Sequence, residues 1–460
     1  MRRMRSRANS KLKMRQMRPE RMLAGGFLLL IAIGTALLSL PAAAADGKSI
    51  GAFNALFTAT SAVCVTGLTV VDTGRAFSDF GHGVLLILVQ AGGLGFMVFA
   101  TMTMVIMGRR ITLRDRVLIR ESMNTSTLSG VVRLTKAYGI MALLLEMAGA
   151  LLLSVRFVPQ FGMGKGLWYS FFHAVTAFCN AGFDLLGGGV SLTVYRNDAY
   201  VLLVISALII LGGTGFAVLF EVINKRFAWR KLTLHTRVVL IVSGALLLAG
   251  MAFFALLEWN NPATLAMEGC DTGDKLLNAF FQSVTMRTAG FNSISLSHMR
   301  DASKLFSVVL MFIGASPAST GGGLKTTTFS VVFLILLSVI RGQRDVNVLG
   351  RRLSSELMRR AIAMLMIAIL VLMIGALLLT VIEQDDVTFV DLLFETASAL
   401  STAGITTAGT AMLRPASRGV LILLMYFGRV GVLTLALALA QKQNDAQNRI
   451  RYPEDSMMIG

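Results

Sequence analysis

Eight long apolar runs punctuate the 460-residue chain, at roughly 23–45, 82–107, 138–158, 199–223, 238–257, 304–340, 360–382 and 419–441. A helix needs about 20 mostly apolar residues to cross a bilayer, and each run provides them. Between the members of each consecutive pair lies a shorter, semi-polar stretch, beginning near Phe53, Leu167, Lys275 and Thr388. These stretches are too short to span. The pattern predicts an all-α integral membrane fold with eight transmembrane helices and four re-entrant half-helices.

The four short stretches align without gaps. They read "FTATSAVCVTGL" from Phe57, "FHAVTAFCNAGF" from Phe172, "FFQSVTMRTAGF" from Phe280 and "FETASALSTAGI" from Phe394. Each Phe precedes a glycine by ten residues: Gly67, Gly182, Gly290 and Gly404. The runs that follow also align, through "AGGLGF" at Gly92, "LGGTGF" at Gly212, "IGASPA" at Gly314 and "FGRVGV" at Gly428. The chain is therefore four tandem copies of helix, half-helix, glycine turn and helix. They occupy 23–108, 137–224, 236–341 and 358–441, between a basic N-terminal segment (1–22) and a C-terminal tail (442–460).

Composition agrees with this class. The chain is 55% hydrophobic and 15% charged, with a mean hydropathy of +0.70, which excludes a soluble protein of this length. A net charge of +18 would suggest nucleic acid if it lay on one face. Instead, 30 of the 43 Lys and Arg fall in 1–22, 109–136, 225–237, 341–360 and 442–460, all on one side of the eight-span arrangement. That is the positive-inside pattern, with both termini cytoplasmic and the half-helices entering from outside. The first run, followed by "PAAAADG", is read as a retained helix rather than a cleaved secretory signal. Three unpaired cysteines and four scattered histidines form neither a disulfide framework nor a metal cluster. No catalytic constellation stands in the apolar runs, so an enzyme is not expected.

Glycine at the end of a non-spanning segment has a physical use. Non-helical backbone at membrane depth is tolerated where it lines an aqueous path, and glycine adopts angles closed to other residues. Four such turns around a pseudo-fourfold axis form a ring of carbonyl oxygens able to replace a cation's water shell. Half-helices with their C-termini innermost add partial negative charge.

The four glycine turns, the interruption "SPASTGGGLKT" and the "GRVG" of the last run resemble the Trk/Ktr/HKT superfamily of potassium transporters, from Leu23 to Ala440. Eight long runs, without the two additional N-terminal helices of Trk-type subunits, are similar to the Ktr membrane subunit. The resemblance implies a bacterial plasma-membrane protein transporting potassium, with sodium as a possible modulator. It implies a homodimer with one pore per protomer and no cofactor on this chain. It also implies a cytosolic regulatory ring (KtrA/TrkA-like) that binds NAD or ATP/ADP. In plant relatives a serine at the first-repeat glycine goes with sodium preference; Gly67 here favours potassium.

The residues leading into each glycine are the candidate filter: Val65, Thr66 and Gly67; Asn180, Ala181 and Gly182; Thr288, Ala289 and Gly290; Thr402, Ala403 and Gly404. The candidate gate lies at about 314–328, where the other inner helices are expected to continue unbroken. Pro317 removes a helix hydrogen bond and Gly321, Gly322 and Gly323 disfavour helix, so the segment unwinds near Gly314, with the hydroxyls of Ser316, Ser319 and Thr320 holding it. "GGGLKT" imitates a phosphate loop, but Leu324 separates glycine from Lys325 and no strand precedes it. Arg429, midway along the last apolar run, should face water or a partner. Two readings stand: a salt bridge to a buried acid such as Glu146, or a positive charge beneath the filter that belongs to the gate. Asp72, Asp79, Asp184 and Asp391 are candidate mouth charges, or solvated loop residues.

Overall fold

The computed structural model describes residues 19–106, 116, 130–343, 345–384 and 386–431. The basic segment up to residue 18, most of 109–129, and 432–460 lie outside the described residues. The chain is helical, with a two-residue-per-strand hairpin (Asn347–Val348 with Arg351–Arg352) in the third connection.

Four similar units follow one another. The first has α1 (Pro19–Leu38), α2 (Ala52–Val63), α3 (Asp79–Gly93) and α4 (Phe96–Ile106). The second has α5 (Val131–Phe161), α6 (Met163–Phe178), α7 (Ala199–Thr214) and α8 (Phe216–Asn224). The third has α9 (Leu234–Glu258), α10 (Thr272–Thr285), α11 (Asp301–Phe312) and α12 (Thr326–Ile340). The fourth has α13 (Ser355–Glu383), α14 (Phe389–Ser401) and α15 (Pro415–Val430). Polar residues start the helices by satisfying free amides. Asp271 and Asp274 form a capping box on α10, and Ser78, Asp198, Thr233, Ser354 and Thr388 cap α3, α7, α9, α13 and α14.

Among the described residues, four single helices are long and apolar enough to cross a membrane: Arg21–Leu38, α5, α9 and α13. The α7–α8 pair makes a fifth if taken as one bent span. This corrects the expectation of continuous inner helices outside the third unit. The first inner helix breaks between Gly93 and Phe96, and the second bends by 98° at Gly215. Gly95 (φ 84°), Gly215 (φ 100°) and Gly431 (φ 91°) align with one another and with Pro317, and their left-handed angles end the helical hydrogen bonding.

Around an apolar core, large apolar side chains also face outward while hydroxyls and amides are buried. Leu151, Leu256 and Val381 are 72%, 80% and 67% exposed, whereas Thr60, Thr176, Gln282, Ser283 and Thr396 are fully buried. Apolar side chains facing outward and hydroxyls inward suit a bilayer. The last unit closes on the first: α15 packs on α1 and α2, and the Tyr426 hydroxyl donates to Ala24 O at 2.9 Å.

Candidate ion filter and gate

Each half-helix ends in the same backbone sequence of hands. Val65, Asn180, Thr288 and Thr402 are left-handed (φ 56°, 57°, 68° and 53°), as are Gly67, Gly182, Gly290 and Gly404 two residues on (φ 94°, 66°, 88° and 79°). Thr66, Ala181, Ala289 and Ala403, between them, are not. Alternating hands keep successive peptide planes facing one way, gathering like backbone groups on one side. A β-branched valine in this region costs on the order of 1–3 kcal/mol, so its surroundings must hold it there.

The amides point back at the half-helices. Thr66 N donates to Ser61 O, Ala181 N to Thr176 O and Ala403 N to Ser398 O, all at 2.8 Å, and Ala289 N to Thr285 O at 3.0 Å. Ser61 and Ser398 hydroxyls accept from Gly67 N and Ile405 N at 3.0 Å. Among the described residues the turn carbonyls themselves accept no hydrogen bond.

The turns form a closed ring. A methyl group on Gly67 would meet Ala181 O at 2.5 Å, one on Gly182 would meet Ala289 O at 2.9 Å, and one on Gly290 would meet Ala403 O at 3.2 Å. A methyl on Gly404 would collide with Thr66 O. Each glycine thus faces the carbonyl of the next unit, in the order one, two, three, four and back to one. The hydroxyls of Thr66, Thr288 and Thr402 are buried and unpartnered.

The segment between α11 and α12 folds back on itself against this ring. Ile313 bridges Leu324, and Ala315 N donates to Gly322 O at 3.2 Å. Its outer edge is stitched to the second inner helix: Ser316 N to Gly213 O (3.1 Å), Thr320 N to Gly212 O (3.2 Å) and Phe216 N to Ala318 O (2.9 Å). The Thr320 hydroxyl donates to Phe178 O at 3.0 Å, at the end of the second half-helix. Ser319 Oγ donates to Ser316 O (2.6 Å), and Ser316 Oγ lies 3.1 Å from Thr326 Oγ1. The tip sits directly under the turns. A methyl on Gly321 would collide with Thr288 Oγ1 and lie 3.2 Å from the Asn180 amide, and one on Gly322 would collide with Thr402 Oγ1.

Two basic side chains hold the loop. Lys325 Nζ donates to Gly321 O at 2.9 Å. Arg429 donates to Thr320 O of the loop and to Gly92 O and Gly93 O (3.2 Å for the last), joining the fourth inner helix, the loop and the first inner helix. Its partners are carbonyls, not Glu146. Gln90 Nε2 donates instead to both Glu146 oxygens, at 3.0 and 3.1 Å, beside the Cys179 thiol that precedes Asn180.

Sequence reasoning missed several supporting groups. Glu395, buried in the fourth half-helix, accepts from Thr406 Oγ1, from Thr407 N and Ala408 N (3.1 and 3.3 Å), and from Thr410 Oγ1 (3.0 Å), fixing the chain beyond Gly404. Its signal was present in the alignment, where the other units carry Thr58, His173 and Phe281. Of the four candidate mouth aspartates, Asp72, Asp184 and Asp391 are engaged by protein groups, whereas Asp79 is exposed. Asp391 pairs with the buried Lys304 at 2.8 Å, and Asp72 accepts from Gly74 N (3.1 Å) and Gly188 N. Burial, with a smaller push from the Asp72 carboxylate, raises the Asp184 carboxyl to about 6 against the amide of Leu186.

With this geometry in hand, the sequence matches the profile of the TrkH family, described as "Cation transport protein", over residues 6–450. The chain belongs to the TrkH family. Among its relatives, the Ktr system potassium uptake protein B of Bacillus subtilis is 41% identical, covering 96% of this chain and 97% of that protein. The potassium/sodium uptake protein NtpJ of Enterococcus hirae is 38% identical, covering 97% and 98%. The crystal structure of the potassium transporter TrkH from Vibrio parahaemolyticus shares the fold, with a TM-score of 0.69 at 20% identity over 91% of this chain and 85% of that one. TrkH-family membership makes this chain a membrane transport protein rather than an enzyme, in keeping with its outward-facing apolar side chains.

Proposed function

We propose that the chain is the ion-conducting membrane subunit of a potassium uptake system, with channel-like permeation along the axis of the glycine ring. The observation that carries this reading is the ring itself: four turns of one conformation, closed on themselves, with carbonyls left unbonded. Oxygens so arranged substitute for a cation's hydration shell, and the half-helix C-termini favour positive charge there. Val65 to Gly67, Asn180 to Gly182, Thr288 to Gly290 and Thr402 to Gly404 supply the filter. The names of the Bacillus and Enterococcus relatives support potassium as the substrate.

In this reading the four outer helices and the four inner helices, the first three of them broken, are eight spans, with four re-entrant half-helices around a pseudo-fourfold axis. The loop is a gate. Its tip at Gly321 and Gly322 lies under three of the four turns, where an ion leaving the filter must pass. Gly314, Ser316, Pro317, Ser319, Thr320 and Gly323 shape it, and Lys325 and Arg429 latch it. A homodimer, with a cytosolic ring binding NAD or ATP/ADP, biases the latch from below. The word "system" in the relatives' names fits a multi-component assembly.

Reconstitution into vesicles tests the reading. Potassium influx should exceed sodium influx down equal gradients, and a protein passing neither ion, with its partner present, would overturn it. A second reading, potassium/sodium or potassium/proton symport on the same fold, is favoured by the name of the Enterococcus relative. It predicts that an imposed sodium or proton gradient drives potassium uphill.

A further inference from the structure

Directly after the third half-helix stands Arg287, where the other units place Cys64, Cys179 and Ser401. The residue is 9% exposed. Its two terminal nitrogens donate to Ser243 O and Ser243 Oγ on α9, both at 3.3 Å, and its Nε has no partner. Among the described residues the guanidinium's hydrogen bonds go to Ser243 alone, and no carboxylate is paired with it. The guanidinium borders a cavity of about 20 Å³ lined by Gly213, Thr214, Leu247 and Ala315, room for about one water.

As a structural link this is a costly choice. A neutral glutamine could also bond Ser243 without burying a charge, whose desolvation costs several kcal/mol. The charge has a plainer use in the field of the ring. Each half-helix end carries about half a negative charge. One unneutralised guanidinium behind the third end offsets roughly two of the four, and the low-dielectric surroundings leave it poorly screened. Conduction requires binding weak enough for the ion to leave.

We infer that Arg287 is an affinity-setting residue of the filter, acting from behind the third turn to hold potassium occupancy below what four bare half-helix ends would impose. The inference rests on the filter reading above. It needs no contact between Arg287 and the ion.

The test uses the full-length protein, with potassium-dependent thermal stabilisation and potassium influx as readouts. R287Q should reach half-maximal stabilisation at about tenfold lower potassium, the order expected of one poorly screened unit charge, and should turn over more slowly at saturation. R287K should behave like the unsubstituted protein. S243D, which keeps the arginine but sets a carboxylate beside it, should shift the midpoint in the same direction as R287Q, and it decides the matter if R287Q does not fold. An unchanged or raised midpoint in S243D and in any folded R287Q would overturn the proposal, because a purely structural arginine would leave affinity untouched. Absence of potassium-dependent stabilisation in the unsubstituted protein would overturn the filter reading itself, and this inference with it.

Discussion

The third inner helix and its three counterparts meet the glycine ring in different ways. At Gly92, Gly212 and Gly428 the helix backbone presses on the end of a half-helix, so closely that a methyl group would collide with Val63 O, Phe178 O or Leu400 O. Gly314 aligns with these three, yet its neighbour is Gly322 O of its own loop. One small-residue solution thus locks three units to the ring, while the fourth use of it folds a chain segment against itself. A segment bound mainly to itself and to carbonyls of other helices can leave without unpacking a helix. On the gate reading, that difference separates scaffold from moving part.

Several measurements would break or sharpen the contrast. Removing Ala318 to Gly323 should raise potassium influx by about tenfold or more and abolish its response to nucleotide, the scale expected when a mostly closed population becomes mostly open. Unchanged influx would remove the gate. Gly67→Ser, which forces a side chain against Ala181 O at a left-handed position, should reduce potassium-over-sodium discrimination by about tenfold in competitive flux. Equal discrimination would detach Gly67 from the filter. Gly212→Ala should lower stability by about 1–3 kcal/mol through overpacking, read as a lower Tm. Gly314→Ala should cost less stability and show mainly as leak, and identical behaviour of the pair would erase the distinction. Arg429→Gln should raise basal influx several-fold and speed amide exchange at Thr320, since charge-assisted bonds contribute about 1.5–3 kcal/mol each. The smallest effect concerns the mouth. Asp184, with its carboxyl raised to about 6, becomes neutral as the pH on its side of the membrane, the outer side in the proposed topology, falls through that value. Influx should then drop by about twofold or less as local attraction for cations weakens, and Asp184→Asn should flatten the profile.

Much of this was legible in the sequence because the four half-helices repeat without gaps. The Phe-to-Gly spacing located each turn, and the breaker-rich "SPASTGGG" located the loop. The breaks at Gly95 and Gly215 escaped notice because hydropathy does not register backbone angle. One glycine costs a helix only about 1 kcal/mol, too little to interrupt an apolar run on paper. The left-handed residue before each turn was also hidden: Val65, Asn180, Thr288 and Thr402 share no conformational preference, and their angles are imposed by packing. Arg429 was found through the cost of its charge, but its carbonyl partners were not, since a backbone acceptor leaves no trace in residue identity. Glu395 and Arg287 went unread for a different reason. Both are departures from the repeat, and a repeat is recognised by the positions where its copies agree.

The closure of the ring has a consequence for how the chain can be cut. Each turn leans on the next unit, and the last leans on the first, with Tyr426 bonded to Ala24 across the seam. No unit is therefore first or last in space, only in sequence. A circular permutant that joins the present ends by a linker and opens the chain at the connection before α9 should assemble the same ring, as though the order of synthesis were a detail of the gene rather than of the fold.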